Sequence, residues 1–219
     1  MFHTYGLSDR ADLYASNIRI VDGQYVFDLR GMLEEDDFVL GMAGIHNVEN
    51  AVGATLVSLL NGLSITSIKA ALRTFSGVKR RFEYRIRSQN LVYIDDYAHH
   101  PTELERCILS VKQLYPGKRI TGVFQPHLYS RTRDFADGFV ASLGMLNELI
   151  LLEIYPAREK PIEGITSSWL LGKVKLKNKW VVDKSNAIDK IVELKPEVLL
   201  TLGAGDIDQL VEPLSSVLN

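Results

Sequence analysis

The sequence predicts an α/β fold in which a smaller α+β segment precedes a mostly parallel sheet with flanking helices. Two observations support this. From about residue 79 onward, apolar runs typical of buried strands alternate with helical patterns, as in parallel sheets with crossover helices. Residues 11–40 instead contain strand patterns without helices between them. We therefore place a domain boundary near Val78, with domains at 1–78 and 79–219.

The composition indicates which kinds of binding partner to expect. The chain has 219 residues, of which 46% are hydrophobic and 24% charged, as in ordinary globular proteins. A net charge of -2 provides no overall positive field, so we expect neither nucleic acid nor a membrane as a partner. No apolar run approaches the about 20 residues of a membrane span. We expect a cytoplasmic protein whose single cysteine, Cys107, lies in the core.

The first segment reads as a β-hairpin followed by two helices. The pair Asp22-Gly23 is a turn signal between two alternating runs within residues 11–40. Asn47 is expected to cap a helix that runs to Leu60. A second, short helix is expected to begin at Ser64 and to end near residue 74.

The second segment contains six strand candidates. Between most of them lie helical patterns, and one of these helices is expected to open at Pro101, after which apolar residues recur with helical spacing. The strands are predicted at residues 82–87, 91–95, 119–124, 148–153, 179–182 and 198–202.

The densest polar chemistry lies at residues 95–103, DDYAHHPTE, where the second of these strands ends. Asp95 and Asp96 could accept hydrogen bonds from a ribose diol, and Tyr97 and His99 could reach a second ligand. A structural alternative is that one aspartate caps the following helix and the histidines bond to backbone carbonyls. Zinc is disfavoured, because Asp-x-x-His offers too few ligands.

A second polar cluster, FQPHLYSRT, follows the strand candidate that ends at Phe124. Arg131 offers a planar fork suited to a carboxylate, and His127 could orient the same anion or take a proton from an amine. The alternative is that Arg131 only pairs with a nearby surface acid such as Asp134. Two such clusters at successive strand ends favour a ligand site.

Two weaker signals lie elsewhere. Arg80 and Arg81 stand at the domain junction and could close over phosphates, or they could be a solvated basic run. Asn47 and Asn50 lie one helical turn apart, and either amide could pair with an adenine edge, although Asn is also a common helix cap.

Two further loops suit a ligand site, and two nucleotide-binding motifs are absent. Residues 153–167 and 203–205 follow predicted strands and are typical of ligand-side loops. The sequence contains no G-x-x-x-x-G-K-[ST] phosphate loop, which a self-sufficient nucleoside triphosphatase of this type would need, and no G-x-G-x-x-G.

Seven segments, in this order and spread over nearly the whole chain, resemble motifs of the Mur ligases. Any one of them would be a weak signal, but the ordered set is specific. Two of them, DDYAHHPTE and FQPHLYSRT, are most similar to the members that add L-alanine to UDP-N-acetylmuramate. The segments are TYGLSDRADLYASNI, GIHNVENA, GVKRRFE, DDYAHHPTE, FQPHLYSRT, EIYPAREKPI and LGAGDI.

The resemblance implies a domain assignment. Mur ligases have a UDP-sugar domain, a central ATPase domain and a C-terminal Rossmann-like domain. Residues 1–78 resemble the end of the central domain and residues 79–219 the whole C-terminal one. The phosphate loop and most Mg²⁺ ligands would then belong to N-terminal domains outside this chain, and we expect the chain alone to be inactive.

The resemblance also implies roles, with ATP, UDP-N-acetylmuramate and L-alanine as substrates. ATP would phosphorylate the muramate carboxylate, and the amine of L-alanine would attack the acyl phosphate. The implied residues are Asn47 for adenine with His46 and Asn50 beside it, Asp96 for ribose with Asp95 second, Arg80, Arg81 and His99 for catalysis near the phosphates, and Tyr97, His127 and Arg131 for L-alanine.

One position departs from the family pattern. Many members carry Arg after the His of FQPH, where this chain has Leu128, so the strength with which the site binds a carboxylate is in question.

Two other functions remain open. The alternatives are a ligase that recycles whole murein peptides and a nucleotide-binding module without chemistry of its own.

Overall fold

A computed structural model describes residues 2–75 and 77–219, which fold as two units. The first unit, Met1–Gly77, contains a four-stranded sheet and two helices. The second, Val78–Asn219, contains a six-stranded sheet with helices between its strands. No helix in the described part of the chain has both the length and the apolar character needed to cross a bilayer.

The first unit is built on the predicted hairpin. Strands β2 (Leu13–Val21) and β3 (Gln24–Gly31) pair antiparallel. The turn residues Asp22 and Gly23 both have positive φ, 51° and 73°, as a type I′ turn requires. Two further strands complete the sheet: β1 (Tyr5–Gly6) pairs parallel with β2, and β4 (Glu35–Leu40) pairs antiparallel with β3.

The helices of this unit correct one prediction. Helix α1 (Ile45–Leu60) begins earlier than expected, with Gly44 at its N-cap position. The prediction that Asn47 caps it is wrong, because Asn47 lies inside the first turn and its Nδ2 donates to the carbonyl oxygen of Ala43 (2.6 Å). The second helix, α2 (Ile65–Thr74), starts as predicted after a capping serine.

The second unit confirms the mostly parallel sheet, and each strand lies within two residues of its predicted bounds. Five strands run parallel in the order β6-β10-β7-β8-β9, and β5 pairs antiparallel with β6 at one edge. The strands are β5 (Glu83–Arg87), β6 (Val92–Asp96), β7 (Ile120–Phe124), β8 (Glu148–Leu151), β9 (Asn178–Val181) and β10 (Val198–Leu202).

Helices cover this sheet, and its central strands are buried along their whole length, which explains their continuous apolar runs. Helix α3 opens at Pro101 as predicted, and His100 and Glu103 form a capping box with its first turn. Cys107 on α3 is buried, as expected. The helices are α3 (Pro101–Leu114), α4 (Tyr129–Asp134), α5 (Ala136–Leu143), α6 (Ser167–Lys173), α7 (Ala187–Leu194) and α8 (Val211–Leu218).

The carboxyl ends of four neighbouring strands lie level with one another. Leu202 is in register with Asp96 on one side and with Phe124 on the other, and Phe124 is in register with Leu151. The loops that follow β6, β10, β7 and β8 therefore emerge side by side. Four of the motifs of this unit lie on these loops or at their start, while Arg80 and Arg81 precede β5.

Candidate functional site

A row of four rings lies along this carboxyl edge. Tyr97 contacts His99 edge-on with centroids 5.3 Å apart, and His99 contacts His127 at 6.2 Å. His127 in turn stacks on Tyr155 at 5.6 Å. The first two residues follow β6, and the others follow β7 and β8 respectively, so three separate loops supply one continuous surface.

Two buried nitrogens beside this row have no hydrogen-bond partner among the described residues: His127 Nδ1 and Arg131 Nη1. Buried polar atoms in folded proteins almost always have a partner, so these two nitrogens are available to bond to water or to a ligand. The alternative that Arg131 pairs with Asp134 is not observed, since Arg133 Nε forms that ion pair at 2.7 Å.

The imidazole of His127 is poised to be neutral. Burial lowers its pKa, and the nearby charges of Arg131 and His99 lower it further, against a small opposing effect of Glu159. A neutral imidazole next to a guanidinium can accept a proton from an ammonium group while the guanidinium binds an anion.

The loop that carries these two residues is firmly held. Leu128 has φ 71°, a conformation that non-glycine residues rarely adopt, and its amide donates to the carbonyl oxygen of Tyr155 (2.9 Å). Both the amide and the hydroxyl of Ser130 donate to Glu159. Such strain persists only where the surrounding contacts determine the conformation, as they often do at binding sites.

The aspartates of DDYAHHPTE lie within β6, as its last two residues, and not after it. Asp96 is 8% exposed, and its two oxygens accept the amides of Phe82 and Ala98, both at 2.7 Å. Burial raises its pKa to about 6, although these two amides and the charge of Arg81 oppose the rise.

Asp95 is fully buried. Its carboxylate accepts the hydroxyl of Thr201 (2.6 Å) and Nε of Arg80 (3.1 Å). Burial raises its pKa as well, against these two partners. The ribose roles of both aspartates stay predictions, and in the structure each carboxylate is already engaged by protein groups.

Arg80 and Arg81 differ in their surroundings. Arg80 is bonded to Asp95 and donates through Nη2 to the carbonyl oxygen of Gly203 (2.6 Å). Arg81 is exposed, and within residues 2–75 and 77–219 its side chain forms no ion pair, although its guanidinium lies 5.7 Å from the ring centre of Tyr97. Arg81 is therefore the more accessible cation for a ligand.

The residues predicted to bind adenine lie in the first unit, on the first two turns of α1. Asn47 is largely buried, and its Oδ1 accepts Nδ2 of Asn50 at 3.3 Å. Asn50 itself is exposed, and His46 is half-buried. Their roles stay predictions.

Two site residues were missed in the sequence. Tyr155 was noted only as part of a ligand-side loop, yet it stacks on His127. Gln125 was passed over within FQPH, but it joins the loops after β7 and β10: its Nε2 donates to Asp206 (2.7 Å), and its Oε1 accepts the amide of Ile207 (2.9 Å). The only available signal was that each lies within two residues of the end of a predicted strand.

The chain is similar in sequence to known proteins. A family model described as Mur ligase, glutamate ligase domain matches residues 80–205. The UDP-N-acetylmuramate–L-alanine ligase of Parabacteroides distasonis is 48% identical and covers 99% of this chain and 47% of its own length. The enzyme of the same name from Cytophaga hutchinsonii is 49% identical, with 96% and 46% covered. The chain thus spans about half the length of these relatives.

Solved structures share the fold. The UDP-N-acetylmuramate-alanine ligase MurC of Thermotoga maritima superposes with a TM-score of 0.80 at 23% identity, over 99% of this chain and 47% of that one. MurF from Acinetobacter baumannii gives 0.75 at 20% identity, over 98% and 46%. Since the family model covers more than half of the sequence, this chain belongs to the Mur ligase family.

Proposed function

We propose that this chain is part of an ATP-dependent ligase that joins L-alanine to UDP-N-acetylmuramate in peptidoglycan synthesis. The observation that carries the proposal is the pair of buried, unpartnered nitrogens on His127 and Arg131 beside the ring row. An amino acid offers both groups that such a pair would bind, a carboxylate and an amine. The 48% identity to a ligase of that name supports the choice of substrates.

The proposed reaction has two steps. A carboxylate oxygen of UDP-N-acetylmuramate attacks the γ-phosphorus of ATP, which gives an acyl phosphate and ADP. The amine of L-alanine then attacks the acyl carbon and loses a proton, and the tetrahedral intermediate expels inorganic phosphate to leave the amide bond. We propose that Mg²⁺ is held mainly outside this chain, as the resemblance to the Mur ligases implies.

In this proposal the amino acid site lies along the ring row. The fork of Arg131 binds the carboxylate of L-alanine, and the neutral imidazole of His127 takes the proton of its ammonium group. Tyr97 forms the neighbouring wall. His99, whose Nδ1 is 3.0 Å from the carbonyl oxygen of Tyr97, interacts with the negative charge near the acyl phosphate.

We assign the nucleotide roles from the motifs. Asn47, with His46 and Asn50, would bind adenine, Asp96 the ribose with Asp95 behind it, and Arg81 the phosphates with Arg80 beside it. Residues 1–78 would be the end of the central ATPase domain and residues 79–219 the C-terminal Rossmann-like domain. Further N-terminal domains would complete the enzyme, which would work in the cytoplasm, where ATP is available, without nucleic acid or membrane partners.

An assay of ADP release tests this function in the full-length enzyme, with this chain joined to the half that its relatives also possess. We expect ADP only when L-alanine and UDP-N-acetylmuramate are both present. Rapid ATP turnover without L-alanine would contradict the proposal.

Competition between L-alanine and a murein tripeptide in the same assay separates the ligase from a peptide-recycling enzyme. We expect L-alanine to be the preferred acceptor, because the two unpartnered nitrogens suit one small zwitterion. Preference for the tripeptide would favour the recycling function instead.

A further inference from the structure

The side chain of Arg80 is fixed on three sides. Its Nε donates to Asp95 (3.1 Å), its Nη2 donates to the carbonyl oxygen of Gly203 (2.6 Å), and its guanidinium carbon lies 5.2 Å from the ring centre of Tyr97. Only 19% of the side chain is exposed, and Asp208 is a further acid at 3.9 Å. The Nε and Nη2 edge of this guanidinium is thus committed to protein acceptors, and an acid lies beside Nη1.

The twin aspartates fasten the chain on both sides of Arg81. Asp95 holds the side chain of Arg80, and Asp96 accepts the amide of Phe82 (2.7 Å). Arg80 and Phe82 both have positive φ, 59° and 51°, which non-glycine residues rarely adopt. Strained residues on either side of one exposed arginine are a pattern that only strong surrounding contacts maintain.

Other contacts reinforce this turn. The carbonyl oxygen of Arg80 accepts the amide of Tyr97 (2.7 Å), and the amide of Arg80 donates to Glu83 (2.8 Å). The ring of Phe82 is buried, with 4% exposed. Every neighbour of Arg81 is thus anchored, while its own guanidinium stays open to solvent above the ring of Tyr97.

We propose that Asp95, Asp96 and Arg80 form a clamp that presents the Arg81 guanidinium to the phosphoryl group being transferred. Arg80 is then a positioning residue and not a phosphate ligand. Asp95 acts through the side chain of Arg80, and Asp96 acts through the backbone amide of Phe82. The inference rests on the proposed ligase function and deepens it. It gives the fully buried carboxylate of Asp95 a role that needs no contact with a substrate.

The physical reason for such a clamp is preorganisation. A cation stabilises charge on a transferred phosphoryl group best when it is already in place, because no reorganisation is then needed during the reaction. An exposed arginine on a flexible loop would lose many conformations on binding, and anchoring both of its neighbours removes the backbone part of that loss beforehand.

A double-mutant cycle in the full-length enzyme tests the clamp. Arg81→Met is expected to lower kcat at least about 100-fold, as for loss of a preorganised charge. Arg80→Met is expected to lower kcat about 30-fold, but in the Arg80→Met background the further change Arg81→Met is expected to cost less than about threefold. Fully multiplicative losses would mean that the two arginines act independently and would overturn the clamp.

Two further variants sharpen the test. Arg80→Lys keeps the charge but cannot bond both Asp95 and the Gly203 carbonyl, so we expect at least a fivefold loss in kcat; a wild-type rate would overturn the clamp. Lys79→Met changes an exposed neighbour of the same charge and is expected to stay within twofold of wild type. An equal loss of kcat in Lys79→Met would mean that any positive charge in this segment supports the reaction, and it would overturn the clamp.

A structural readout separates this inference from the proposed function. If the unmutated enzyme does not ligate L-alanine, the function fails, and the clamp is judged by crystal structures of the Arg80→Met and Arg80→Lys variants. We expect the Arg81 guanidinium to leave the ring of Tyr97 and residues 80–82 to relax. An unmoved Arg81 in a folded variant would overturn the clamp.

Discussion

Arg131 offers the most direct test at the scale of a single residue. Its buried Nη1 has no hydrogen-bond partner within the described chain. A bound carboxylate would therefore form a hydrogen bond and also remove the free-energy penalty of an unsatisfied buried donor. We expect Arg131→Lys to raise KM for L-alanine by 10- to 100-fold, since hydrogen bonds to charged groups contribute about 1.5–3 kcal/mol. Initial rates of ADP release at varied L-alanine would measure this.

Arg133→Lys is the matched control. Arg133 lies on the same helix but is exposed and paired with Asp134, so its replacement is expected to leave KM for L-alanine unchanged. Equal effects of the two substitutions would show that the guanidinium of Arg131 has no special role in binding L-alanine.

Because of Asp96, the free energy of unfolding should rise as the pH falls, which is unusual for a carboxyl group. Its pKa rises from 3.8 to about 6 on folding, chiefly through burial, so the ionised form is disfavoured in the folded state by about 3 kcal/mol. Because the folded pKa is the higher one, this penalty is relieved as pH falls through 6, and the relief is complete below 3.8. We expect Asp96→Asn to remove that part of the pH dependence, measured by urea unfolding between pH 7.5 and pH 4.

The corresponding control is Asp134→Asn. Asp134 is exposed, and Arg133 lowers its pKa, so its replacement should change the pH dependence little and in the opposite sense. A variant at position 96 with the same pH slope as wild type would show that the carboxyl of Asp96 titrates normally.

At the scale of elements, the loop after β10 is packed too tightly for any side chain at Gly205. A Cβ there would lie 2.4 Å from Oε1 of Gln125 and 2.8 Å from the Tyr155 side chain. We expect Gly205→Ala to lower the free energy of unfolding by about 1–3 kcal/mol, as overpacked cores do. It should also disturb the stack of Tyr155 on His127, so KM for L-alanine should rise.

Gly172→Ala serves as the control for that loop. Gly172 lies inside helix α6, where an added Cβ would meet nothing within 4 Å. Alanine should therefore stabilise the protein by up to about 1 kcal/mol. Thermal unfolding should show that Gly205→Ala lowers the stability and that Gly172→Ala raises it. An unchanged stability of Gly205→Ala would mean that the loop after β10 can move to accommodate the methyl group.

The strands of this protein were predictable and some of its contacts were not. Strands such as β7 and β8 are covered on both faces and therefore appear in the sequence as short apolar runs. The cap at Asn47 was mispredicted because Gly44, with φ 107°, already occupies the position where the helix begins. The contact between Gln125 and Ile207 joins residues 82 positions apart, which no local pattern encodes.

At the scale of the whole molecule, the candidate amino acid site and the clamp lie entirely within Val78–Asn219. Arg80 and the Gly203 carbonyl, 123 residues apart in sequence, meet there because β5 runs antiparallel and begins at the edge where β6 and β10 end. The nucleotide, in contrast, is expected to need residues that this chain does not contain, since the sequence has no phosphate loop.

The 219-residue chain should therefore bind ADP weakly and hydrolyse no ATP. A phosphate loop contributes several charge-assisted hydrogen bonds of about 1.5–3 kcal/mol each, so its absence should weaken binding at least 1,000-fold relative to the full-length enzyme. Calorimetric titration of both proteins with ADP would measure the difference, with AMP as the control ligand because it lacks the β-phosphate. A micromolar Kd for the 219-residue chain would instead favour a self-contained nucleotide-binding module.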